Sequence, residues 1–408
     1  MVFKLNLGNY KRKPRLVPTS IGSLVSSTRI LENLIWEIYN IKSEQIEKIM
    51  VQQLSGSGIQ GNLSDSGRVQ VHMELVDGSN QTVNWFVKVM PQNENNAITS
   101  SLNIFKNEIV FYEQVLPELK SFLREEGFSE EYAEFEVPEI LFSREDDDGA
   151  IIVLEDIISE GFGHEKDVNG DKFLSVDQAI CAVQSLAKLH AVSVGMQQKK
   201  KIDLRTLHPT LAESGLLWAK SEMTERLGVM KESYCEMLKQ SSELDSPTLL
   251  RKFKKSFDSE ERLKELCQKR CKASNKTMSL QHGDFTFNNL MFKREEDGKL
   301  RVMIVDWQLS YTGRTTGDLA YLLMSSLSSE TREMYEDKIK SEYFSAYLAH
   351  LVKIGNTREE KSKLDIEYTD SLPLSFLLSC GNIMSGGFDD RVRVSYDMCK
   401  EAAHKKII

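Results

Sequence analysis

The sequence predicts an α+β fold, with an antiparallel sheet in the first 155 residues and a mainly helical remainder. Up to residue 155, apolar residues recur at every second position in runs separated by turns rich in Gly and Asp, which is typical of half-buried strands in hairpins. From Asp177 onward, apolar residues recur at helical spacing instead. We therefore divide the chain into an N-terminal domain, 1–155, and a C-terminal domain, 156–408.

The elements predicted before residue 155 form a sheet with helices beside it. Alternation of apolar and polar residues predicts the strands, and helical spacing predicts the helices. In chain order they are a leading helix over 21–40, strands over 69–75 and 82–90 joined by a tight turn, a helix over 105–116 that Pro117 interrupts or follows, and a hairpin of 139–143 with 150–154.

The composition is that of an ordinary globular protein. The 408 residues are 40% hydrophobic and 28% charged, with a formal net charge of −9, which argues against a nucleic-acid partner. The 6 cysteines form no CxxC pair, and the longest apolar stretch, 372–380, is far shorter than the ~20 residues that span a bilayer. We expect a cytoplasmic protein with reduced thiols, no membrane anchor and no obligate protein partner.

The strongest functional signal surrounds a short hairpin in the helical part of the chain. The run His282-Gly283-Asp284-Phe285-Thr286-Phe287-Asn288-Asn289 precedes this hairpin, which spans 290–305, and Asp306 follows it. In kinase-like phosphotransferases one Asp receives the proton of the attacking hydroxyl, while an Asn and a second Asp hold magnesium. The spacing predicts Asp284 as the base and Asn289 and Asp306 as Mg²⁺ ligands. The alternative is that Asp284 forms a turn and Asn289 a cap.

Lys88 is predicted to bind the phosphates of ATP. It lies in the apolar strand Trp85-Phe86-Val87-Lys88-Val89, where an unpaired ammonium is costly to bury. Glu108, on the following helix, can supply the partner, as in the Lys–Glu pair that orients the ATP phosphates in kinases. Glu113 lies on the same helix and is a second candidate. The alternative is an edge-strand lysine that points to solvent.

Two weaker signals concern the nucleotide. Gly56 and Gly58 lie before a strand, where a loop covering phosphates would be, but Ser55-Gly56-Ser57-Gly58-Ile59-Gln60-Gly61 is neither the protein-kinase glycine motif nor a Walker A motif. An ordinary flexible turn explains it equally well. Glu155 and Asp156 follow an apolar strand at the junction of the two domains, where a hinge would contact adenine through its backbone. The alternative is an acidic loop start.

Two further polar residues are predicted to have structural roles. His190 lies in the helical segment 186–191 and is expected to pack or hydrogen-bond internally. Asp318 starts a helix, where a carboxylate can cap the helix and brace the loop that carries Asp284.

Taken together, these motifs make the chain resemble the ecdysteroid kinase-like family, which is related to choline kinases and aminoglycoside phosphotransferases. The resemblance extends over residues 45–390. It rests on the stretches Leu154-Glu155-Asp156, 186–191, 282–289, 304–308 and 317–320.

The resemblance implies a two-lobed protein-kinase-like fold that uses ATP and Mg²⁺ to phosphorylate a hydroxyl on a small molecule, with ecdysteroids as the name-giving substrates. It assigns the base to Asp284, the magnesium to Asn289 and Asp306, and the phosphates to Lys88 with Glu108. The poor match of the glycine loop leaves the nucleotide contacts there open.

Two other functions stay open at this point. A choline- or ethanolamine-type kinase needs an aromatic or acidic cage for a cationic headgroup. A pseudokinase that binds its ligand without turnover has no physical need of a base beside the acceptor. The apolar residues of 216–223 and 376–378 either line an apolar substrate wall or form the helical core. We expect a bulky, mostly apolar alcohol as the acceptor.

Overall fold

The computed structural model describes residues 2–5, 17–54, 65–90, 103–146, 149–164, 172–272, 278–356, 361–385 and 390–408. By their internal contacts the residues form two units, Met1–Gln114 with Val137–Phe162 and Val115–Glu136 with Gly163–Ile408. The division at residue 155 placed 115–136 in the first domain, whereas this segment belongs to the second unit. That each unit is a domain in its own right stays a prediction.

The first unit is built on a six-stranded antiparallel sheet with the strand order β1-β2-β3-β4-β6-β5. The strands are β1 (Val2–Leu5), β2 (Ile46–Leu54), β3 (Asp65–Leu75), β4 (Asn80–Val89), β5 (Ile140–Asp146) and β6 (Gly149–Glu155). All four predicted strands are present. The sequence analysis missed β1 and β2. In β2, a register shift between Ile46 and Lys48 interrupts the alternation.

The helices of the first unit are α1 (Ile21–Val25), α2 (Thr28–Tyr39) and α3 (Ile104–Val110). The predicted leading helix is thus two helices. They are separate because the Ser27 hydroxyl accepts a hydrogen bond from the Ile30 amide and caps α2. One apolar face of α2 packs on the sheet, where Leu31 and Ile35 join Val69 and Val71 in the core.

The second unit is mainly helical and contains two small antiparallel sheets. The sheets are β7 (Ser279–Gln281) with β10 (Tyr311–Gly313) and β8 (Leu290–Arg294) with β9 (Leu300–Ile304). The helices are α4 (Leu116–Glu125), α5 (Glu130–Ala133), α6 (Val176–Lys200), α7 (Leu204–Leu207), α8 (Pro209–Gly215), α9 (Ser221–Gln240), α10 (Ser246–Ser256), α11 (Glu260–Lys269), α12 (Gly317–Ser326), α13 (Ser329–Lys353), α14 (Lys361–Ser385) and α15 (Arg391–His404). The predicted fold class and the predicted hairpin after residue 290 are confirmed.

Helix α6 lies in the core of the second unit, where it packs against α13, β7 and β9. Within the described ranges it is the one helix long and apolar enough to cross a membrane, and 78% of its apolar window is buried in the protein. Such burial is typical of a core helix. The helix carries His190 on its buried side.

Candidate active site

In the first unit, Lys88 and Glu108 form a buried ion pair. Lys88 lies on β4 and Glu108 on α3, and the Lys88 Nζ is 2.7 Å from Oε1 and 3.0 Å from Oε2 of Glu108. Lys88 is 5% exposed and Glu108 1%, so the solvent-facing alternative for Lys88 is excluded. The second candidate partner, Glu113, instead accepts a hydrogen bond from the Ser143 hydroxyl. The position of Lys88 in an apolar strand therefore correctly predicted that its ammonium group pairs with a carboxylate.

The side chains of Glu155 and Asp156 are engaged inside the first unit. The Arg68 Nε lies 3.0 Å from both carboxylate oxygens of Asp156, and the Ser159 hydroxyl donates to the same carboxylate at 2.6 Å. The Glu155 carboxylate accepts from the Glu139 amide at 2.9 Å. A nucleotide contact through either side chain is therefore not favoured, while a contact through the backbone stays a prediction. The candidates Gly56 and Gly58 lie outside the described residues.

In the second unit, Asn289 orients Asp284. Asn289 ends a short 3₁₀ turn, Phe287–Asn289, and its Nδ2 donates to the Asp284 carbonyl oxygen at 2.8 Å and to Oδ2 of the Asp284 carboxylate at 2.9 Å. Both bonds use the amide nitrogen. The amide oxygen is thus the atom with which Asn289 can ligate a cation.

Asp306 is brought to the same place by the hairpin of β8 and β9. The Val305 amide donates to the Asn289 carbonyl at 3.0 Å, so the residues at the two ends of the hairpin are held together. Asp306 has a left-handed backbone, with φ of 68°, which Asp tolerates better than most residues. Its carboxylate accepts from the Gln308 Nε2 at 3.3 Å.

The electrostatics of this loop favour a bound dication. Burial raises the pKa of Asp284, and the nearby Asp306 carboxylate raises it further, although His282 acts in the opposite direction. A divalent cation bound by these carboxylates would offset the repulsion that the direction of the pKa shift of Asp284 reports. Among the described residues no group of three His, Cys, Asp or Glu side chains is arranged to hold a metal. The donor set fits Mg²⁺, which is held by one or two protein ligands together with substrate phosphates.

His282 connects the two ends of the motif, a role that the sequence analysis did not assign. Its Nε2 lies 2.9 Å from the Val305 carbonyl oxygen, and the Asp284 amide donates to its Nδ1 at 3.2 Å. These two bonds require the tautomer with its hydrogen on Nε2. The ring packs edge-on against Trp307, with 4.5 Å between ring centroids. His282 therefore fixes Asp284 relative to the segment that carries Asp306.

Asp318 braces the loop from α12, as predicted. Its carboxylate accepts from the His282 amide at 2.5 Å and from the Gly283 amide at 3.0 Å. Burial acts to raise the pKa of Asp318, but the interactions with His190, together with those of His282, outweigh it and hold that pKa below its usual value. The predicted capping role is wrong, because Thr316 occupies the N-cap of α12.

His190 forms internal contacts, which confirms its prediction. Its Nδ1 lies 2.6 Å from the Tyr343 hydroxyl oxygen, and its Nε2 lies 3.5 Å from the Asp318 carboxylate. The histidine is fully buried. His190 therefore supports the loop of Asp284 indirectly, through its contact with Asp318.

Gly283 has no room for a side chain. Its φ is +86°, and a Cβ atom there would lie 2.1 Å from the Leu309 carbonyl oxygen. Gly298, in the turn between β8 and β9, has a similar φ of +83° but no neighbouring atom within 4 Å. A side chain at Gly283 would therefore cause both backbone strain and a steric clash, whereas a side chain at Gly298 would cause backbone strain alone.

We expect Gly283→Ala to lower the free energy of unfolding by about 3 kcal/mol or more, since strain and overpacking act together. Gly298→Ala, which adds the strain alone, should cost about 1 kcal/mol. Urea denaturation of both variants measures the difference. Equal losses in the two variants would contradict the close contact at Gly283.

Tyr321, on α12, is a neighbour of Asp284 that the sequence analysis missed. Burial raises the pKa of Tyr321 well above its usual value, and the charge of Asp284 raises it further. Its hydroxyl also donates to Oδ1 of Asn382 at 3.5 Å. Tyr321 is thus placed to contact a molecule bound beside Asp284.

The residues considered as an apolar substrate wall are divided between core, surface and pocket, and Leu378 lines a small pocket that also includes Gly283. Phe376 is fully buried among the rings of Tyr234, Phe253 and Phe257, with centroid distances of 6.2, 5.8 and 6.2 Å. Leu216, in contrast, is 46% exposed. Phe376 therefore belongs to the core of the second unit, as the alternative interpretation held.

The chain is similar to several solved kinase structures at low sequence identity. It is 10% identical to an ethanolamine kinase of Plasmodium vivax, with 92% of this chain and 88% of that chain covered and a TM-score of 0.37. It is 12% identical to a putative fructosamine-3-kinase of Haemophilus somnus, with coverage of 91% and 96% and a TM-score of 0.39. For the GDP complex of aminoglycoside 2'-phosphotransferase-IIIa the identity is 11%, the coverage 91% and 97%, and the TM-score 0.39.

Sequence comparison with whole families is more informative. No curated protein matches the chain. Residues 60–356, well over half of the sequence, match the ecdysteroid kinase-like family. This span contains Lys88, Glu108 and the loop and hairpin that carry Asp284, Asn289 and Asp306. The chain therefore belongs to the ecdysteroid kinase-like family.

Proposed function

We propose that this protein is a cytoplasmic kinase that transfers the γ-phosphate of ATP, with Mg²⁺, to a hydroxyl of a bulky, mostly apolar alcohol such as an ecdysteroid. Membership of the family supports a small-molecule kinase. The observation that carries the proposal is the contact of Asn289 with Asp284, held at the same hairpin as Asp306. A protein that only bound its ligand would have no need of this arrangement.

Each residue of the candidate site would have a separate role in phosphoryl transfer. Asp284 receives the proton of the acceptor hydroxyl, and Asn289 keeps its carboxylate in position through Nδ2. The amide oxygen of Asn289 and the carboxylate of Asp306 would hold Mg²⁺, which neutralises charge on the transferred phosphoryl group. In the first unit, Lys88 binds phosphate oxygens while Glu108 holds its ammonium in place.

The acceptor class is tested by ATP consumption over a panel of sterols, plant phenolics and amino alcohols, with Asp284→Asn as the blank. We expect a larger kcat/KM for a bulky, mostly apolar alcohol than for choline or ethanolamine. A cationic headgroup would require an aromatic or acidic cage, whereas a bulky apolar alcohol would not. Values that favour choline or ethanolamine over every sterol tested would overturn the proposed acceptor class.

Lys88→Met should abolish most of the turnover, because the variant keeps the aliphatic stem but loses the charge that binds the phosphates. It also leaves Glu108, which is 1% exposed, without its cation, so the free energy of unfolding should fall by about 3–5 kcal/mol. The double variant Lys88→Met with Glu108→Gln is the control. It should recover stability but not turnover. Recovery of turnover in the double variant would show that Lys88 has only a structural role.

A further inference from the structure

A small pocket lies directly beside the loop of Asp284, within the second unit. It is lined by α11, β10, α12 and α14, and among its residues are Gly283, which precedes Asp284, and Tyr321, whose hydroxyl neighbours the Asp284 carboxylate. The volume of this pocket that the centres of water molecules can occupy is about 30 Å³. A water needs about 10–15 Å³ by this measure, so the pocket accepts two waters or one small polar group, and not a whole substrate.

Most of the charge in the pocket wall is compensated within the protein. The Arg314 guanidinium pairs with the Asp370 carboxylate at 2.7 Å, and its Nε donates to the Lys269 carbonyl at 2.9 Å. The Asp318 carboxylate is used by the amides of the loop. Neither acidic side chain is therefore available to balance another cation.

Arg270 is the exception. Its guanidinium carbon lies 3.8 Å from the centre of the Tyr311 ring, so the planar group is stacked in place. Its Nη1 is buried and has no hydrogen-bond partner in the part of the chain that the structure describes. In the same part of the chain no carboxylate lies within ion-pair distance of Arg270. A buried guanidinium nitrogen without a partner is unusual, because the lost hydration is not replaced.

We propose that this pocket is an acceptor subsite that binds a carboxylate of the substrate through Arg270, an inference that rests on the proposed kinase function. A guanidinium held flat by an aromatic ring presents a fixed set of donors that matches the two oxygens of a carboxylate. A neutral hydroxyl would leave the charge of Arg270 uncompensated, and a cationic headgroup would be repelled by it. Among bulky, mostly apolar alcohols, the subsite would therefore favour one that also carries a carboxylate over an uncharged one.

Acetate is a probe of this subsite that needs no knowledge of the substrate. Thermal unfolding of the full chain is followed in increasing sodium acetate, with ionic strength held constant by sodium chloride, and in the same concentrations of acetamide. We expect acetate to raise the unfolding midpoint of the wild type more than acetamide does. Equal effects of acetate and acetamide in the wild type would overturn the subsite.

Variants then locate the effect. Arg270→Met should weaken acetate binding at least tenfold, whereas Lys264→Met, which removes a cation of α11 outside the pocket wall, should leave it unchanged. An Arg270→Met variant that binds acetate like the wild type would refute the assignment. Arg270→Lys keeps the charge without the planar fork, so it serves if the Met variant does not fold. It should bind acetate more weakly than the wild type, and wild-type affinity in it would count against the proposed geometry.

Kinetic measurements distinguish a failure of the proposed subsite from a failure of the proposed kinase function. Acetate should raise the KM of the acceptor without changing the KM of ATP. Turnover that is insensitive to acetate would remove the subsite and leave the kinase intact. Specific acetate binding without phosphoryl transfer to any acceptor would remove the kinase function and retain an anion-binding pocket.

Discussion

Replacing Asp284 with Asn should lower kcat by about 10²–10⁴-fold, the usual contribution of a positioned general base. The amide has nearly the shape of the carboxylate but cannot accept the proton of the acceptor hydroxyl. The hydrogen bond from Asn289 Nδ2 to the Asp284 main-chain carbonyl is unaffected by the substitution, so the loop should keep its conformation. Initial rates at saturating ATP, together with the affinity for Mg·ATP, measure the effect.

Although Asp284→Asn should lose turnover, we expect it to lose no stability. Since burial and Asp306 raise the pKa of Asp284, the protein destabilises the ionised carboxylate, and a neutral amide relieves that repulsion. Asp284→Asn should therefore unfold at the same temperature as the wild type or a higher one. Asp297→Asn, in the exposed turn of the hairpin, is the control and should change neither kcat nor the unfolding temperature. Turnover within a few-fold of the wild type would remove Asp284 as the base.

Replacing Asp306 with Ala should abolish metal-dependent turnover, with a fall of at least about 10²-fold at any Mg²⁺ concentration. The carboxylate is the charged protein ligand of the proposed magnesium site, and Asn289 supplies only a neutral oxygen. The measurement is the Mg²⁺ dependence of turnover and of the unfolding midpoint in the presence of a non-hydrolysable ATP analogue. Unchanged activity would remove the assignment of the metal site.

The left-handed backbone at Asp306 requires a control for strain. Ala at a φ of 68° is disfavoured, whereas Asn adopts this conformation readily. Asp306→Asn should therefore keep the stability of the wild type while it loses most of the affinity for Mg²⁺. If only the Ala variant lost activity, the loss would be due to the backbone and not to the ligand.

Local sequence patterns determined most of the fold class and the candidate base and metal ligands. Alternation over Val69 to Leu75 and the hairpin after residue 290 are properties of contiguous segments, so periodicity revealed them. The loop of Asp284 and Asn289 was recognisable because the residues that meet there are five positions apart. Lys88 was recognisable as a paired residue because an ammonium inside an apolar strand requires a counter-charge.

Only the tertiary structure decided which distant groups are partners. Asp156 forms an ion pair with Arg68, which is 88 positions away in the sequence. The Asp318 carboxylate accepts a hydrogen bond from the His282 amide, which is 36 positions away. Spacing along the chain carries no information about such pairs, because many acidic and basic residues satisfy the same charge requirement. The pocket at Arg270 is also a tertiary result. Helices and strands distant in sequence surround the Arg270 guanidinium and, among the residues that the structure describes, supply it with a ring but no carboxylate.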